Sequence, residues 1–422
     1  MDYIVINGKN RLQGSVSIGG AKNAAVAIIP ACIVSGGVCL LENVPCIEDV
    51  ANLIKSLESL DVHCVFDPQK HTLQVDATNI STHVLSEKFA KSTRASYYFM
   101  GALLSRFGKA EMPMPGGCEI GERPMGYHLR GFEALGATVS QEHGIVTISA
   151  ENGLSGANIY LDSPSVGATI NLMIAAVFAN GVTLIENAAR EPHVVDTANF
   201  LNKLGAKIFG AGTNTIRIAG VDKLCGGEYT IIPDQIEAGT YMIAAAITRG
   251  DVTIENVIPK HLESLTSKLR EIGVTVQEGL ESIRVLVDKD LRGCDVKTTT
   301  YPGFPTDLQP QMATLLCLST SSSIVTENIF ENRFRYIGEL RRLGASIKLE
   351  ARSIIIDGNY SLTGARVEAC DLRAGAALVL AGLAARGETT IGGIDHLDRG
   401  YEGMEEKLRA LGANIKRVVC DE

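Results

Sequence analysis

The sequence predicts an α/β (α+β) protein of two domains, each built from three copies of one strand–helix–strand–helix unit. Its length of 422 residues exceeds what one hydrophobic core usually holds, so two domains are favoured. A repeat with a period of about 70 residues also returns along the chain, and six copies of it can be recognised. Within each copy, short segments of alternating apolar residues precede Ala-rich segments, which is the pattern of strands followed by helices.

One element of the repeat is a helix that stops at a Leu-Gly-Ala-like sequence and leads into a strand. Glycine at this place supplies the left-handed conformation that ends a helix. The first copy, LESLDVHCV, has Asp61 in place of the glycine. The five other copies carry Gly136, Gly205, Gly273, Gly344 and Gly412.

A second element is a short strand that ends in Glu-Asn, as in CLLENVP, VTLIENAA, VTIENVI and IVTENIF. A third is a strand and loop that lead into an Ala-rich helix. Because the LQGSVSI strand before Lys22 matches the strand before Asp371, the N-terminal residues resemble the end of a repeat that begins in the C-terminal half. We therefore predict one domain at residues 22–230 and the other at 231–422 plus 1–21. A repeat scaffold for protein binding is the alternative that periodicity alone leaves open.

Composition excludes several function classes. The net charge is −9 and no basic block occurs, so nucleic acid is not expected as a partner. The ten cysteines form no CxxC pair and no Cys/His metal pattern, which favours a reducing compartment and predicts no metal. The start, MDYIVING, lacks the basic region of a signal peptide, and the most apolar stretch, residues 24–41, is broken by Pro30. We expect a cytoplasmic protein without a membrane partner.

The turns before the Ala-rich helices carry different charged residues in each repeat, which a scaffold would not require. The first turn places Lys22 and Asn23 at a helix N-terminus, where backbone N–H groups and an ammonium can bind an anion. A solvated surface lysine is the alternative for Lys22, and helix capping is the alternative for Asp307. The corresponding turns carry Arg94, Ser163, Ser165, Asp234, Glu237, Asp307, Asp371 and Arg373.

The segment PMPGGCEIGERPMGYH, residues 112–128, places a glycine-rich loop where a strand end is expected. Cys118 is the cysteine that lies outside an apolar run, and an exposed thiol in a polar loop suits acid or nucleophile chemistry. An incidental loop thiol is the alternative. His128, at the start of the following helix, is interpreted as a structural histidine.

These residues together resemble the UDP-N-acetylglucosamine enolpyruvyl transferases, and the resemblance covers essentially the whole chain. It rests on GGAKNAA, PGGCEIGERP, PSVGAT, ENAAREP, FPTDLQ, ENRF, DLRAGA and DRGYE. The family's fold implies two inside-out α/β barrel domains, each of three repeated units, with helices buried, sheets outside and the active site in the cleft between the domains. The implied reaction transfers the enolpyruvyl group of phosphoenolpyruvate to the 3-hydroxyl of UDP-N-acetylglucosamine and releases phosphate. That reaction belongs to peptidoglycan synthesis, and thus to cell-wall biogenesis, cell shape and division.

The resemblance also implies roles for individual residues. Lys22, Arg123 and Arg399 look like the cations that hold the phosphate and carboxylate of phosphoenolpyruvate. Cys118 resembles the loop cysteine that protonates the enol and reacts with fosfomycin, and Asp307 is similar to the base that takes the proton of the sugar hydroxyl. Further positions that match substrate contacts are Asn23, Arg94, Pro124, Met125, Gly126, Tyr127, Ser163, Pro164, Ser165, Val166, Ile329, Asp371 and Arg373. No cofactor is implied, and a monomer is expected.

The sequence departs from the family pattern at the uridine end of the implied site. Family members commonly have Asp at the position of Gly126, Leu or Gln at that of Tyr127, and in some cases Lys at that of Ser163. Two alternatives to the implied function stay open. One is the related enolpyruvyl transferase that acts on shikimate 3-phosphate, and the other is a non-catalytic regulatory paralogue.

Overall fold

A computed structural model describes residues 2–91, 93–114, 121, 125–358 and 361–419. Contacts divide these residues into two compact units. The first unit contains the described residues from Gly20 to Ile232 except Gly121. The second unit contains those up to Gly19 and those from Pro233 onward, together with Gly121. The chain therefore passes between the units after Gly19 and again after Ile232, and an active site shared by the two stays a prediction.

The strands are short, with five residues or fewer in each of those that the structure describes. They are β1 (Tyr3–Asn7), β2 (Gln13–Ser17), β3 (Val38–Glu42), β4 (His63–Asp67), β5 (Thr72–Asp76), β6 (Lys109–Pro113), β7 (Thr138–Glu142), β8 (Ile145–Ser149), β9 (Asn158–Tyr160), β10 (Val182–Glu186), β11 (Lys207–Phe209), β12 (Thr215–Ala219), β13 (Gly227–Thr230), β14 (Asp251–Glu255), β15 (Thr275–Glu278), β16 (Ser282–Leu286), β17 (Val296–Lys297), β18 (Ser323–Thr326), β19 (Ile347–Glu350), β20 (Ser353–Ile356), β21 (Arg366–Glu368), β22 (Glu388–Gly392) and β23 (Asn414–Val418).

The helices alternate with these strands. The α-helices are α1 (Lys22–Ala31), α2 (Glu48–Glu58), α3 (Glu87–Ala90), α4 (Tyr98–Phe107), α5 (Gly126–Ala134), α6 (Val166–Ala175), α7 (Pro192–Lys203), α8 (Gln235–Ile247), α9 (Glu263–Glu271), α10 (Gln309–Leu316), α11 (Ile337–Arg342), α12 (Leu372–Ala384), α13 (Asp395–Asp398) and α14 (Met404–Ala410). Short 3-10 helices cover Cys32–Ser35, Arg94–Tyr97, Ala176–Phe178, Pro259–Leu262 and Thr306–Leu308.

Within the described ranges the strands form six sheets of one common design, three in each unit. An antiparallel three-stranded meander carries a short parallel strand at one edge, as in β13-β3-β5-β4, where β13 and β3 run parallel. The sheet β6-β8-β7 has a single parallel bridge, Val84 to Glu111, in place of that edge strand. In the second unit, β1 lies between β22 and β23 of the C-terminal repeat. The six predicted repeats are confirmed.

Each unit has a core of three helices that are apolar on all sides. In the first unit α4 packs against α1 and α6, and in the second unit α12 packs against α8 and α10. Nearly every residue of α1, α8 and α12 is buried, which a helix surrounded by protein requires. The sheets place alternate residues outside, as in the pattern iBeBi of β5, β12 and β16. The implied inside-out barrel, with helices inside and sheets outside, is confirmed for each unit.

The Glu-Asn strand ends have a structural cause. Asn43, Asn187 and Asn256 adopt φ of 55°, 54° and 55°, a left-handed conformation that Asn tolerates better than most residues. Each side-chain amide donates to the carbonyl oxygen that follows the parallel edge strand of its own sheet. The distances are 2.9 Å to Ile231, 2.7 Å to Leu161 and 2.7 Å to Ile18. The motif therefore ties each edge strand to its neighbour, which explains why it recurs.

The predicted helix stops are also confirmed. All five glycines of the Leu-Gly-Ala-like motif have positive φ, between 94° and 111°. Asp61 occupies the same conformation in the first repeat with φ 64°, and its carboxylate accepts a hydrogen bond from Ser81 Oγ. In the part of the chain that the structure describes, no helix is long and apolar enough to cross a membrane.

Candidate functional site

In the first unit, the predicted anion site lies at the beginning of α1. Lys22 is the first residue of this helix and is only 8% exposed, so the alternative of a solvated surface lysine is wrong. Its Nζ lies 2.8 Å from Oδ2 of Asp49, which is 3% exposed and belongs to the first turn of α2. Asn23 follows Lys22 and is partly exposed. A buried ion pair of this kind fixes the ammonium in place, because either charge alone would be costly to bury.

Arg94 begins the 3-10 helix Arg94–Tyr97 in the same unit and is partly buried. Burial and the nearby charge of Arg94 lower the pKa of His128 to about 3, so this imidazole is neutral at physiological pH. Nδ1 of His128 lies 3.0 Å from Nδ2 of Asn171, which also donates to the carbonyl oxygen of Tyr97. His128 is therefore a structural residue, as the sequence predicts.

Two segments that the resemblance assigns to the sugar nucleotide are neighbours in the structure. Arg130, on α5, stacks its guanidinium over the ring of Tyr127 at 5.2 Å and lies 3.4 Å from a carboxylate oxygen of Asp162. Asp162 directly precedes the exposed Ser163. Ser165 caps α6 by accepting a hydrogen bond from the Ala168 amide. Met125 is buried, while Gly126, Pro164 and Val166 are partly exposed.

In the second unit, Asp307 is the centre of a charged cluster. It lies within the 3-10 helix Thr306–Leu308, whose N-cap residue is Pro305. Its Oδ1 accepts from Arg333 Nη2 at 3.1 Å and its Oδ2 accepts from Arg373 Nη2 at 3.0 Å. Both arginine side chains are at most 5% exposed, whereas the Asp307 side chain is 26% exposed. Two charge-assisted hydrogen bonds thus orient a carboxylate that a substrate can still reach.

Two other turns of this unit contain carboxylates that cap helices. Asp371 caps α12 by accepting from the amides of Arg373 and Ala374 at 2.8 and 2.9 Å. Asp234 caps α8 in the same way. Because Asp371 holds the first turn of α12, it also places the Arg373 side chain, which lies in that turn.

Arg373 is held from a second side by Tyr401. The guanidinium lies 5.4 Å from the centre of the Tyr401 ring, and the Tyr401 hydroxyl lies 2.9 Å from Thr240 Oγ1. Burial has the largest single effect and disfavours the charged guanidinium. The charges of Asp307 and Asp234 and the contact with Tyr401 together exceed that effect, so the pKa of Arg373 is raised above its usual value. Arg373 is therefore a permanent cation beside Asp307.

The loop that carries Ile329 is organised by Glu327, which is 1% exposed. Oε1 of Glu327 accepts hydrogen bonds from the amides of Ile329 and Phe330 at 2.8 and 3.2 Å. The Ile329 amide therefore already has an acceptor, and its contact with a ligand stays a prediction. Arg399 follows α13 and is partly exposed.

Cys118, Arg123 and Pro124 lie outside the described residues. In the described part of the chain, no group of three or more His, Cys, Asp or Glu side chains could hold a metal ion.

Sequence reasoning missed two residues of these clusters and gave a third no role. Asp49 and Tyr401 are the two that the sequence analysis does not name. Arg333 lies in the ENRF motif, for which the sequence analysis names no site residue. The ENRF motif is the sequence signal that could have drawn attention to Arg333. The partner of each of these residues depends on tertiary contacts.

The sequence pattern of one protein family, described as EPSP synthase (3-phosphoshikimate 1-carboxyvinyltransferase), matches residues 6–408. The chain is 54% identical over 418 residues to UDP-N-acetylglucosamine 1-carboxyvinyltransferase 2 of Clostridium acetobutylicum, with 99% of each protein covered. It is 54% identical over 420 residues to UDP-N-acetylglucosamine 1-carboxyvinyltransferase of Clostridium botulinum, which covers 99% of this chain and 100% of that protein.

Two solved structures have the same fold. The enolpyruvyl transferase NikO from Streptomyces tendae superposes with a TM-score of 0.90 at 27% identity, over 100% of this chain and 99% of that one. EPSP synthase from Acinetobacter baumannii superposes with a TM-score of 0.77 at 20% identity, over 99% of this chain and 100% of that one. The second likeness concerns the fold alone.

Proposed function

The chain belongs to the EPSP synthase family of carboxyvinyltransferases, and from that premise we propose that it transfers the enolpyruvyl group of phosphoenolpyruvate to the 3-hydroxyl of UDP-N-acetylglucosamine and releases phosphate. It is an enzyme. The observation that carries the choice of acceptor is the identity of 54%, along nearly the whole chain, with relatives named for this acceptor.

Asp307 is the proposed base. Addition of an alcohol to an enol double bond requires a base at the hydroxyl, an acid at the methylene carbon and stabilisation of an oxocarbenium-like centre. Arg333 and Arg373 each bind one oxygen of the Asp307 carboxylate, and the side chain remains 26% exposed. This support for Asp307 is geometric, since the carboxylate is both oriented and reachable.

The cations Lys22, Arg123 and Arg399 are proposed to hold the phosphate and carboxylate of phosphoenolpyruvate. Lys22 supports this role best, because Asp49 fixes its ammonium at 2.8 Å. When phosphate leaves, its negative charge increases and a fixed cation stabilises it. Cys118 is proposed as the acid that protonates the methylene carbon. None of these steps uses a metal or an organic cofactor.

The remaining substrate contacts are proposed for the sugar nucleotide. Asn23, Arg94 and the segments 123–127 and 163–166 would bind it from the first unit, and the Ile329 backbone from the second. Arg130 links the two segments of the first unit through Tyr127 and Asp162. Such a reaction would place the enzyme in the cytoplasm, at the first committed step of peptidoglycan synthesis. We propose that it works as a monomer.

One assay tests the acceptor. We expect phosphate release from phosphoenolpyruvate in the presence of UDP-N-acetylglucosamine, and background release when shikimate 3-phosphate replaces it. If phosphate is released with shikimate 3-phosphate and not with UDP-N-acetylglucosamine, the enzyme is the related transferase that acts on shikimate 3-phosphate. Release with neither acceptor, from a folded protein that binds UDP-N-acetylglucosamine, would favour the non-catalytic regulatory paralogue.

Gly126 offers a test of uridine recognition. A Cβ at this position would have Arg130 Nη1, at 3.9 Å, as its nearest neighbour, so Gly126→Asp fits without strain. We expect Gly126→Asp to lower the KM for the sugar nucleotide, and Tyr127→Ala to raise it because a base can stack on the ring. A single polar contact of about 0.5–1.5 kcal/mol corresponds to a change from a few-fold to roughly tenfold.

The control for that test is Gly126→Asn, which adds a similar volume without the charge. Steady-state kinetics with each substrate varied in turn should show an unchanged KM for phosphoenolpyruvate in all three variants. If none of them alters the KM for the sugar nucleotide, this segment does not read the uridine.

A further inference from the structure

Asp196, on α7 of the first unit, is a carboxylate buried to 1% exposure. Its Oδ1 accepts a hydrogen bond from the Tyr229 hydroxyl at 2.5 Å, and its Oδ2 accepts one from the Ile232 amide at 3.4 Å. The Tyr229 hydroxyl also lies 3.0 Å from the backbone oxygen of Asp196. Among the residues that the structure describes, Asp196 has no salt bridge to a lysine, arginine or histidine.

A buried carboxylate without a cation is costly for the fold. Burial raises the pKa of Asp196 to about 6, although the hydrogen bonds from Tyr229 and Ile232 act in the opposite direction. A raised pKa means that the folded state prefers the protonated form. The ionised form present at neutral pH therefore lowers the stability of the protein.

A buried carboxylate of the second unit, that of Glu237, differs from Asp196 in having a cation partner. Glu237 accepts from the Gly19 amide at 3.0 Å, next to the other passage of the chain between the units, and it is also buried, with 5% exposure. Its other oxygen, however, binds Lys407 Nζ at 2.6 Å. Glu237 thus binds a segment that connects the two units and also has a cation partner. Among the described residues, Asp196 binds such a segment without a cation partner.

Asp196 is connected to the backbone next to Lys22 by two successive hydrogen bonds. Ile232, whose amide binds Asp196, is the last residue of the first unit before the chain passes to the second. The Ile232 carbonyl oxygen accepts from the Ala21 amide at 2.7 Å, and Ala21 is the N-cap residue directly before Lys22. The next residue back, Gly20, has no space for a side chain, since a Cβ there would lie 1.7 Å from the Asn43 carbonyl oxygen.

We propose that Asp196 is a positioning residue for Lys22, acting through the Ile232 peptide and the Ala21 amide. This inference rests on the proposed function, in which Lys22 binds phosphoenolpyruvate. Asp196 fixes the Ile232 peptide, this peptide fixes the backbone that begins α1, and α1 begins with Lys22. Asp49 holds the ammonium at the other end of the same side chain. The two carboxylates together determine where the charge lies.

The test is Asp196→Asn in the full-length enzyme, with each substrate varied in turn and Tm measured at pH 8. We expect the KM for phosphoenolpyruvate to rise between a few-fold and roughly tenfold, as for one lost hydrogen bond. The KM for UDP-N-acetylglucosamine should stay within about twofold, a change below that of a typical hydrogen bond. The kcat should fall with the rise of the KM for phosphoenolpyruvate, because Lys22 is also proposed to stabilise the leaving phosphate. Tm should not fall, because the substitution removes a buried charge.

Two further variants complete the experiment. Thr197→Val is the matched control. Thr197 is the next residue on α7, it is fully buried, and within the described ranges its hydroxyl binds only the His193 carbonyl oxygen of its own helix. Thr197→Val should leave the KM for phosphoenolpyruvate unchanged. Tyr229→Phe removes the hydroxyl that holds Asp196 and keeps the ring against Phe200, at 5.5 Å between ring centres. Tyr229→Phe should also raise the KM for phosphoenolpyruvate. It replaces Asp196→Asn as the test if that variant does not fold.

An unchanged KM for phosphoenolpyruvate in Asp196→Asn, or in Tyr229→Phe if it is the variant that folds, would overturn the inference. So would a general loss, with both KM values raised and Tm reduced as in a merely structural defect. The wild-type enzyme in the same assay decides the proposed function separately. If it turns over and Asp196→Asn behaves like Thr197→Val, only the positioning role is wrong, whereas an inactive wild type refutes both.

Discussion

Asp307→Asn is expected to lower kcat by about 10²–10⁴-fold, the usual contribution of a general base. The amide cannot accept the proton of the sugar hydroxyl, although it occupies almost the same volume as the carboxylate. Binding of UDP-N-acetylglucosamine should remain, because the lost interaction is made in the transition state. Rapid-mixing kinetics for turnover and titration calorimetry for sugar-nucleotide binding measure the two effects independently.

The same substitution has a structural cost that must be separated from its effect on catalysis. Each carboxylate oxygen of Asp307 accepts from a different buried arginine, and an asparagine can serve only one of them. One guanidinium N–H then loses its partner, which typically costs about 1–3 kcal/mol. The unfolding free energy should therefore be measured alongside kcat.

Asp251→Asn is the matched control for Asp307→Asn. Asp251 also binds an arginine, Arg284, at 2.7 Å, but on the exposed face of a sheet. This control should leave kcat unchanged. Near-normal turnover of a folded Asp307→Asn variant would show that Asp307 only organises the two arginines, and the base would have to be sought elsewhere.

Cys118 is expected to be the residue that the epoxide fosfomycin alkylates, and Cys118→Asp is expected to escape the drug while keeping activity. Alkylation should stop turnover of the wild-type enzyme almost completely, because the modified side chain can no longer supply the proton. An aspartic acid also supplies a proton but reacts far less readily with the epoxide than a thiolate does. Peptide mass spectrometry after treatment identifies the modified residue.

The described cysteines provide internal controls for that experiment. Cys46 and Cys225 are exposed, so they report whether the reagent simply modifies accessible thiols. Cys39 has a pKa lowered to about 7, mainly by a hydrogen bond with Cys32, but it is fully buried. An adduct on any of these three, with Cys118 unmodified, would refute the assignment of Cys118.

The repeat architecture could be predicted from the sequence because its signals are local. A helix that ends in a left-handed residue needs glycine or a residue that tolerates that conformation, and both appear at the predicted stops, as Gly136 and Asp61 illustrate. Three of the Glu-Asn strand ends place Asn43, Asn187 and Asn256 in the same left-handed conformation. Six copies of such signals were sufficient to predict six repeats, and each repeat forms one sheet in the described structure.

The candidate site residues were named by their resemblance to a family, and the sequence by itself could not say which charges meet. Lys22 and Asp307 stood out as charged residues at helix starts. For Asp307, however, the local pattern by itself favours capping, which is the commoner role of such an aspartate. Local sequence does not distinguish Asp371, which caps α12, from Asp307, which binds two arginines.

The sequence alone therefore determined the repeats, the helix stops and the set of turns that carry charge. The tertiary structure decided the partner of each charge, pairing Asp307 with arginines 26 and 66 residues away and leaving Asp196 without a cation among the described residues. The physical reason is that turns and helix ends depend on a few neighbouring residues. The surroundings of a buried charge depend on every element packed around it, and those elements come from distant parts of the chain.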